Sequence, residues 1–283
     1  MSDNKKLTRR NILNAGLATL AAGSSAAGTS FASWKASGET RVIFQWGDFY
    51  HNSITPEWAW RRVLTPTDWR LMFAQSIKFI TPEILSKTDL LVIQRYETWF
   101  HPVNMALEWV PDRIVEDRPT PTIFMTDEFE DALIENVRRG MGLIVQHCGL
   151  WNPSKAKYLK LIGVEKPYMH HPFQQAYFHK LNPNHPISAG IEPSDLGMDE
   201  IFYADLIPGQ SEVLFNYKGD VYETDLAGGW CREEGNGRVV VLLPGHFQSQ
   251  YTNESYKKIL WGAAHWAMKK DVPSPNHIKS GWL

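Results

Sequence analysis

The stretch Gly140-Met141-Gly142-Leu143-Ile144-Val145-Gln146-His147-Cys148-Gly149 decides the fold. A glycine turn leads into a short apolar run, and the run ends abruptly in His147 and Cys148. A strand buried on both faces of a parallel sheet has this composition, with polar side chains only at its tip. Ligands bind at the carboxyl tips of the strands in open α/β sheets. The stretch therefore predicts a central strand that delivers an imidazole and a thiol to a binding edge.

The sequence before this strand predicts alternating strands and helices. Residues 126–139 have apolar side chains at helical spacing, acidic residues in the first turn and two arginines in the last, which is typical of an amphipathic helix. The apolar runs Arg41–Trp46 and 87–94 predict two buried strands, and 67–79 predicts a helix between them. This order indicates βαβ units and a mostly parallel sheet.

The second half of the chain is richer in predicted strands. A helix is expected over 154–162 and a final helix over 253–269. Between them the expected strands are 175–181, 201–206, 212–217 and a hairpin over 229–243 with Asn236-Gly237 at its turn. Residues 95–126 contain four prolines and are too long for a plain connection. We interpret them as an inserted excursion over the sheet edge, either a lid or a partly disordered loop.

The composition limits the classes of function. The 283 residues are 43% hydrophobic and 21% charged, which is enough for one substantial core. A formal net charge of -2 and a pI near 6.6 provide no basic field to attract phosphates, so no nucleic-acid partner is expected. Two cysteines, Cys148 and Cys231, are too few for a disulfide scaffold. The 12 tryptophans indicate either a large core or a ligand, such as a sugar, that stacks on aromatic rings.

The N-terminus has the pattern of an export signal. The run Thr8-Arg9-Arg10-Asn11-Ile12-Leu13-Asn14 resembles the twin-arginine motif, and an apolar stretch and a small-residue cleavage pattern at Ser30-Phe31-Ala32 follow it. We therefore expect a signal peptide at 1–32, the export machinery as a partner, and a periplasmic or secreted location. The apolar stretch is too short for a stable membrane span. The remainder divides into one α/β domain at 33–270 and a tail at 271–283.

Three apolar runs end in a histidine, and this arrangement predicts a site. His51, His147 and His246 each follow a predicted strand, and neighbouring parallel strands would bring the imidazoles together. Glu200 and Asp48 are the carboxylates that could join them, as a metal ligand or as a general base. A divalent metal, with zinc the first choice, is the expected cofactor. The oligomeric state stays open.

Two other kinds of site remain possible at this edge. Cys148 follows a buried strand and could act as a nucleophile with His246 as its base, although the turn lacks the pattern of a strained nucleophile elbow. The aromatic residues Trp46, Trp151 and Phe247 could instead bind a sugar without turnover. The three hypotheses predict different responses to chelation, to alkylation and to sugars.

Five stretches taken in order carry a family resemblance: 140–149, 185–191, 199–203, 235–239 and 244–246. They resemble blocks of the ThuA-like, trehalose-utilisation family. The resemblance implies a class I glutamine-amidotransferase-like fold, a flavodoxin-like three-layer α/β sandwich with a mostly parallel central sheet. It also implies that His147 lies near the position of the amidotransferase cysteine, and His246 near the position of the catalytic histidine.

The sequence also departs from that pattern. Cys148 stands where resembling members usually have serine, which counts against a thiol mechanism. Phe247-Gln248 follows His246 where a glutaminase triad has Pro-Glu, so glutamine hydrolysis is not expected. Asp48 and the excursion at 95–126 are departures too, and they leave the substrate open.

The resemblance implies a carbohydrate substrate, of the trehalose type or a related disaccharide oxidised to its 3-keto form. A C3 ketone acidifies the C2 proton, so a base such as Glu200 or Asp48 could remove it and expel the glycosidic oxygen. A metal held by His51, His147 and His246 would polarise the ketone. His147 is thus a catalytic and a metal-binding candidate, and Trp46, Trp151 and Phe247 are candidates for binding the sugar. The alternative is a non-catalytic sugar-binding or accessory protein that works beside a periplasmic oxidoreductase.

Overall fold

We describe the protein from a computed structural model. The structure describes residues 38–281 apart from 49, 52, 75–78, 97, 100–121 and 222. The described residues from Thr40 onward group into one compact unit. The predicted leader at 1–32 and most of the predicted excursion lie outside the described residues. Across the described part of the chain, no helix combines the length and the apolarity that crossing a membrane requires.

Strands and helices alternate in the first half, and strands predominate afterwards. The strands are β1 (Arg41–Trp46), β2 (Arg70–Ala74), β3 (Leu90–Gln94), β4 (Thr98–Trp99), β5 (Thr122–Ile123), β6 (Gly142–Gln146), β7 (Val164–His179), β8 (Ser194–Leu206), β9 (Glu212–Gly219), β10 (Leu226–Glu234) and β11 (Gly237–Leu242). The helices are α1 (Ile54–Val63), α2 (Pro82–Leu85), α3 (Asp127–Arg139), α4 (Ala156–Leu161), α5 (Gln248–Thr252) and α6 (Glu254–Ala267), with a 3-10 turn at His147–Leu150.

One nine-stranded sheet forms the centre, in the order β2-β1-β3-β6-β11-β10-β9-β7-β8. The pairs from β2 to β11 are parallel. The pairs from β11 to β8 are antiparallel and include the long β7–β8 ladder. The prediction of a mostly parallel sheet is therefore wrong, and the sheet is mixed. The reason is that the chain from β7 onward runs as strands joined without crossover helices, which pair antiparallel.

The parallel half forms the core because helices cover both of its faces. Every residue of β3 and of β6 is buried, as the apolar runs predict. α6 packs on β6 and β11 together with α1 and α5, whereas α2, α3 and α4 form a second group. Gly142 permits the close approach of α6, since a Cβ there would lie 2.7 Å from the Ala267 carbonyl oxygen. The parallel half thus has the layered α/β architecture that the resemblance implies.

The first βαβ unit differs from the sequence prediction. The segment 67–79 was expected to be a helix, but its residues 70–74 form β2, a parallel edge strand beside β1. Its crossover helix is α1, which the sequence did not reveal. Phe73 of β2 stacks on Phe44 with 4.6 Å between ring centroids, and this tertiary packing outweighs the helical spacing of the apolar residues.

The helices predicted at 126–139 and 253–269 are confirmed, as α3 and α6. The Thr126 side chain accepts a hydrogen bond from the backbone N–H of Phe129 and so caps α3, and Asn253 caps α6 in the same way. The expected helix at 154–162 is shorter, since α4 begins at Ala156 and Ser154 is not its cap. The hairpin turn lies at Gly235-Asn236 between β10 and β11, with Gly235 at φ +58°.

Candidate metal centre

Three histidines meet where parallel strands end. His51 follows β1, His147 follows β6 and His246 follows β11, and the order β1-β3-β6-β11 makes these strands near neighbours. Glu200 comes from β8 in the antiparallel half, and it reaches the group because β8 packs against the 3-10 turn. The His147 backbone has φ +48°, a left-handed conformation that is uncommon for non-glycine residues and that Lys180 and Lys269 also adopt.

The four side chains form one cluster, which we call the His51–His147–Glu200–His246 cluster. One donor atom from each lies within 4.8 Å of the other three. Glu200 Oε2 is 3.0 Å from His246 Nδ1, 3.5 Å from His147 Nε2 and 3.7 Å from His51 Nε2. His147 Nε2 and His246 Nδ1 are 3.4 Å apart. The predicted convergence of the three imidazoles is therefore present, with the carboxylate among them.

Hydrogen bonds outside the cluster fix the orientation of two imidazoles. His51 Nδ1 lies 2.7 Å from Asp48 Oδ1, and His147 Nδ1 lies 2.9 Å from the Leu243 carbonyl oxygen. A ring that donates from Nδ1 presents the lone pair of Nε2, and both Nε2 atoms face the cluster. Metal-binding histidines usually have such outer partners, a carboxylate or a backbone carbonyl.

The loop that carries His246 is held by a buried carboxylate. Asp199 accepts hydrogen bonds from the backbone N–H of Gly245 at 3.1 Å and of His246 at 3.0 Å. Burial raises the pKa of Asp199 to about 8, although these N–H donors act in the opposite direction. Asp199 is fully buried, and this burial results from packing that the sequence does not show.

Burial and neighbouring charges shift the pKa values of the cluster residues in different directions. Burial lowers the pKa of His147 to about 4, so its imidazole is neutral at pH 7. Burial opposes the charge of Glu200, but hydrogen bonds from His147 and His246 outweigh it and hold the pKa of this carboxyl far below its ordinary value. Burial also opposes the charge of His51, and the Asp48 carboxylate more than offsets this and raises the His51 pKa.

The donor set fits a divalent metal such as zinc. A tetrahedral zinc ion with bonds of about 2.0–2.2 Å separates its ligand atoms by roughly 3.3 Å, and the Glu200 distances of 3.0, 3.5 and 3.7 Å lie around that value. The buried Nε2 of His51 makes no hydrogen bond with any residue that the structure describes. An ion at the centre would satisfy this atom, and it would displace the proton that the raised pKa of His51 favours.

Asp48 does not have the surroundings of a general base. Its carboxylate accepts hydrogen bonds from His51 Nδ1, from the backbone N–H of Tyr50 and His51, and from the Cys148 thiol. It is 1% exposed. Its oxygens thus orient His51 and are shielded from a substrate.

Cys148 has the properties of a structural residue. The side chain is fully buried, and Sγ lies 3.4 Å from Asp48 Oδ2. Burial raises the pKa of the thiol to about 12, so it carries almost no thiolate at pH 7. These properties disfavour the hypothesis of a thiol hydrolase.

The three predicted sugar-binding aromatics occupy different environments. Trp46 is 1% exposed and packs in the core against Phe44 at 5.0 Å, so it is not able to stack on a ligand. Trp151 is half-buried against the core. Only Phe247 lies beside the cluster, with its ring centroid 4.6 Å from that of His246.

Three further aromatics lie at the cluster and were not singled out from the sequence. Phe202 is buried with its ring centroid 4.7 Å from that of His147. Tyr96 packs edge-on against His51 with ring centroids 5.2 Å apart. Phe173, on β7, lies 5.0 Å from His246 by the same measure. Neither Tyr96 nor Phe173 belongs to a sequence motif, and Phe173 lies outside the strand predicted at 175–181, so no local signal marks either residue.

Comparison with known proteins agrees with this architecture. The family model for ThuA, trehalose utilisation, matches residues 41–267. No protein of curated function matches the sequence. A ThuA-like protein from Bacteroides uniformis ATCC 8492 superimposes with a TM-score of 0.58 at 15% identity, covering 82% of this chain and 92% of that one. One from Parabacteroides merdae ATCC 43184 gives 0.58 and 15%, covering 83% and 92%.

Another solved structure matches the chain over one part of a larger enzyme. The beta-galactosidase from Bacillus circulans sp. alkalophilus superimposes with a TM-score of 0.52 at 12% identity, covering 82% of this chain but only 32% of that one. At this identity the likeness concerns the fold alone. The mixed α/β sheet and the edge cluster thus define a class of protein, an α/β domain with a three-histidine, one-carboxylate centre. Within that class, the chain belongs to the ThuA, or trehalose-utilisation, family.

Proposed function

We propose that the protein is a metal-assisted lyase or hydrolase that cleaves the glycosidic bond of 3-keto-disaccharides of the trehalose type. The observation that carries the proposal is the convergence of four donor atoms within 4.8 Å at a strand-tip edge. The family supports a carbohydrate-related role. His51, His147 and His246 would hold the ion, with Glu200 beside them.

Each residue of the cluster has a distinct part in this chemistry. When bound, a divalent ion supplies a Lewis acid for the C3 ketone and for the negative charge that develops on its oxygen. His147 is suited to bind because its lowered pKa leaves the imidazole neutral. Glu200 has two oxygens, so Oε2 can face the ion while the other accepts a proton. The hydrogen bonds that lower the Glu200 pKa would be absent once the histidine nitrogens bind the ion, which restores the basicity of the carboxylate.

The reaction balances as an elimination followed by addition of water. Glu200 takes the C2 proton, the C1–C2 double bond forms, and the C1–O bond breaks with its electron pair on the glycosidic oxygen. That oxygen takes up the proton that Glu200 removed and leaves as the hydroxyl of the second sugar, which returns Glu200 to its carboxylate form. Water then adds across the double bond, with hydroxide at C1 and a proton at C2, to give the 3-keto monosaccharide.

Asp48 acts as a positioning residue in this proposal. The sequence offered it as a second possible base, but its oxygens are occupied by His51, by backbone N–H groups and by the Cys148 thiol. By fixing the ring of His51, Asp48 keeps Nε2 directed at the cluster. Glu200 is then the base.

We also propose that the protein is exported, because the twin-arginine pattern at residues 8–14 and the run of small apolar residues after it have the order of a signal peptide. Export of a folded chain through that machinery suits a protein that takes up its metal before leaving the cytoplasm. Its sugar substrate would then be met in the periplasm or outside the cell.

The test combines metal analysis with turnover. The purified mature protein should contain about one zinc or similar divalent ion per chain and should cleave 3-ketotrehalose but not trehalose. Chelation and the variants His147→Ala and His246→Ala should abolish turnover, whereas His179→Ala, whose ring pairs with Asp225 away from the cluster, should retain it. A metal-free protein that cleaves 3-ketotrehalose normally would refute the metal-assisted mechanism. A metal-loaded protein that binds the sugar without cleaving it would indicate the sugar-binding alternative.

A further inference from the structure

The cluster opens towards His246. The side chains of His147 and His51 are 0% and 2% exposed, that of Glu200 is 8% exposed and that of His246 is 14% exposed. On the His51 side, Tyr96 covers the imidazole edge-on and closes the cluster. A ligand therefore approaches across His246, and the residues around that ring contact whatever extends beyond the reacting atoms.

Two phenylalanines flank this opening, and we call them the Phe173–Phe247 wall. Their ring centroids are 5.0 Å apart and lie 5.0 Å and 4.6 Å from the centroid of His246. Phe173 is 51% exposed, unlike most of the large apolar side chains of the protein. Phe247 is half-buried beside it. An aromatic pair that continues a polar cluster is a common feature of ligand sites, where apolar walls accompany a few polar groups.

An irregularity in the β7–β8 ladder accompanies the position of Phe173. His171 pairs with Ile201, but the next pair is Gln174 with Asp199. Between these two pairs β7 therefore advances by three residues while β8 advances by two. An extra residue of this kind is a β-bulge, which re-aims side chains and is frequent beside active sites. The bulge lies opposite Glu200, the residue of β8 that supplies the carboxylate of the cluster.

We propose that the Phe173–Phe247 wall is the subsite for the second, leaving-group sugar ring of a disaccharide. The inference rests on the proposed function, which places the keto ring at the cluster. The apolar C–H face of a pyranose packs against the face of an aromatic ring, and Phe173 has its surface free to do so. With one ring over the cluster and the other on the wall, the site selects disaccharides over single-ring glycosides.

Binding measurements with unreactive sugars test this subsite without requiring turnover. We expect the metal-loaded protein to bind trehalose more tightly than methyl α-glucoside in titration calorimetry. Phe173→Leu, which keeps apolar bulk but removes the ring, should weaken trehalose binding about tenfold and leave methyl α-glucoside within about twofold. Phe173→Tyr, which keeps an aromatic ring, should bind trehalose as tightly as the wild-type protein does. Tyr177→Leu, on the same strand and partly exposed, is the matched control and should bind both sugars normally.

Kinetics provide a second readout if 3-ketotrehalose is turned over. Phe173→Leu should raise KM for 3-ketotrehalose with little change in kcat, because a remote contact is made equally in the ground state and the transition state. Equal weakening of both sugars, or no weakening of trehalose, would overturn the subsite. So would a wild-type protein that binds p-nitrophenyl α-glucoside more tightly than trehalose, since the occupant would then be an aryl group. A protein that selects trehalose through Phe173 without cleaving 3-ketotrehalose would keep the subsite and refute the enzymatic proposal.

Discussion

The substitution Asp48→Asn probes how the protein orients its cluster without removing any proposed metal ligand. Asp48 Oδ1 and Oδ2 lie 2.7 and 2.9 Å from His51 Nδ1, and Oδ1 also accepts the backbone N–H of Tyr50 at 2.8 Å. An asparagine keeps the shape and one acceptor oxygen but loses the charge. That one oxygen is then shared between the backbone donor and the imidazole.

The expected loss follows from the role of an outer carboxylate at a metal site. Removing such a partner weakens metal binding about 10–100-fold, which corresponds to about 1.4–2.7 kcal/mol. The free energy of unfolding should fall by more than about 1 kcal/mol, because His51 can become neutral but the buried Arg95 guanidinium also interacts with the Asp48 charge.

A chromophoric chelator in competition with the protein for zinc measures the affinity. Asp131→Asn is the matched control, since Asp131 pairs with Lys157 at the surface and lies away from the cluster. Affinity of Asp48→Asn within twofold of wild type would refute the orienting role. A loss as large as that of His147→Ala would also refute it, because Asp48 would then act like a ligand.

Three further changes have defined outcomes. Cys148→Ser should retain turnover within about threefold, because a buried thiol with a pKa of about 12 is not a nucleophile. Gly237→Ala should lower the free energy of unfolding by about 2–3 kcal/mol, since its Cβ would lie 2.0 Å from the Val137 carbonyl oxygen. The contribution of His185 to stability should be lost below about pH 6.5, because burial lowers the pKa of His185 in the folded protein. His185 Nδ1 accepts the Ile187 N–H at 3.2 Å, and protonation removes that acceptor.

Each of these outcomes has a control or a contradicting result. Loss of turnover in Cys148→Ser, with the metal still bound, would reinstate the thiol hypothesis. Gly38→Ala is the control for Gly237→Ala, since nothing lies within 4 Å of a Cβ at that position. The pKa of His185 is lower in the folded protein than in the unfolded chain. His185 therefore contributes its full stabilisation above the pKa of the unfolded state and loses it as the pH falls. His185→Asn, measured by chemical denaturation from pH 8 to 5, should therefore show a shallower decline than wild type, and an unchanged decline would contradict the assignment.

The sequence predicted the parallel half and its edge because local patterns encode them. The apolar run of β6 and the capped helix before it are short-range signals, and three strands ending in histidine predicted the convergence at His51, His147 and His246. The strand β2 was mistaken for a helix because a short edge strand with one partly buried face can imitate helical spacing.

The antiparallel half and the surroundings of the cluster depend on long-range pairing. Nothing local indicates that β8 brings Glu200 to the histidines, or that Asp199 beside it is buried and holds the His246 loop. Phe173 reaches the site through a register shift between two strands, which no single-strand pattern predicts. The residue type of Trp46 suggested that it could stack on a sugar. Trp46 is the last residue of β1, however, and its side chain is buried in the core.

The most direct test of a metal centre is the location of the ion in a crystal of the purified, metal-loaded protein by anomalous diffraction at the zinc edge. One strong peak is expected at bonding distance, about 2.0–2.2 Å, from Nε2 of His51 and His147 and from Nδ1 of His246, with Oε2 of Glu200 beside it. A peak elsewhere, or a catalytically active crystal with no peak among these four atoms, would contradict it.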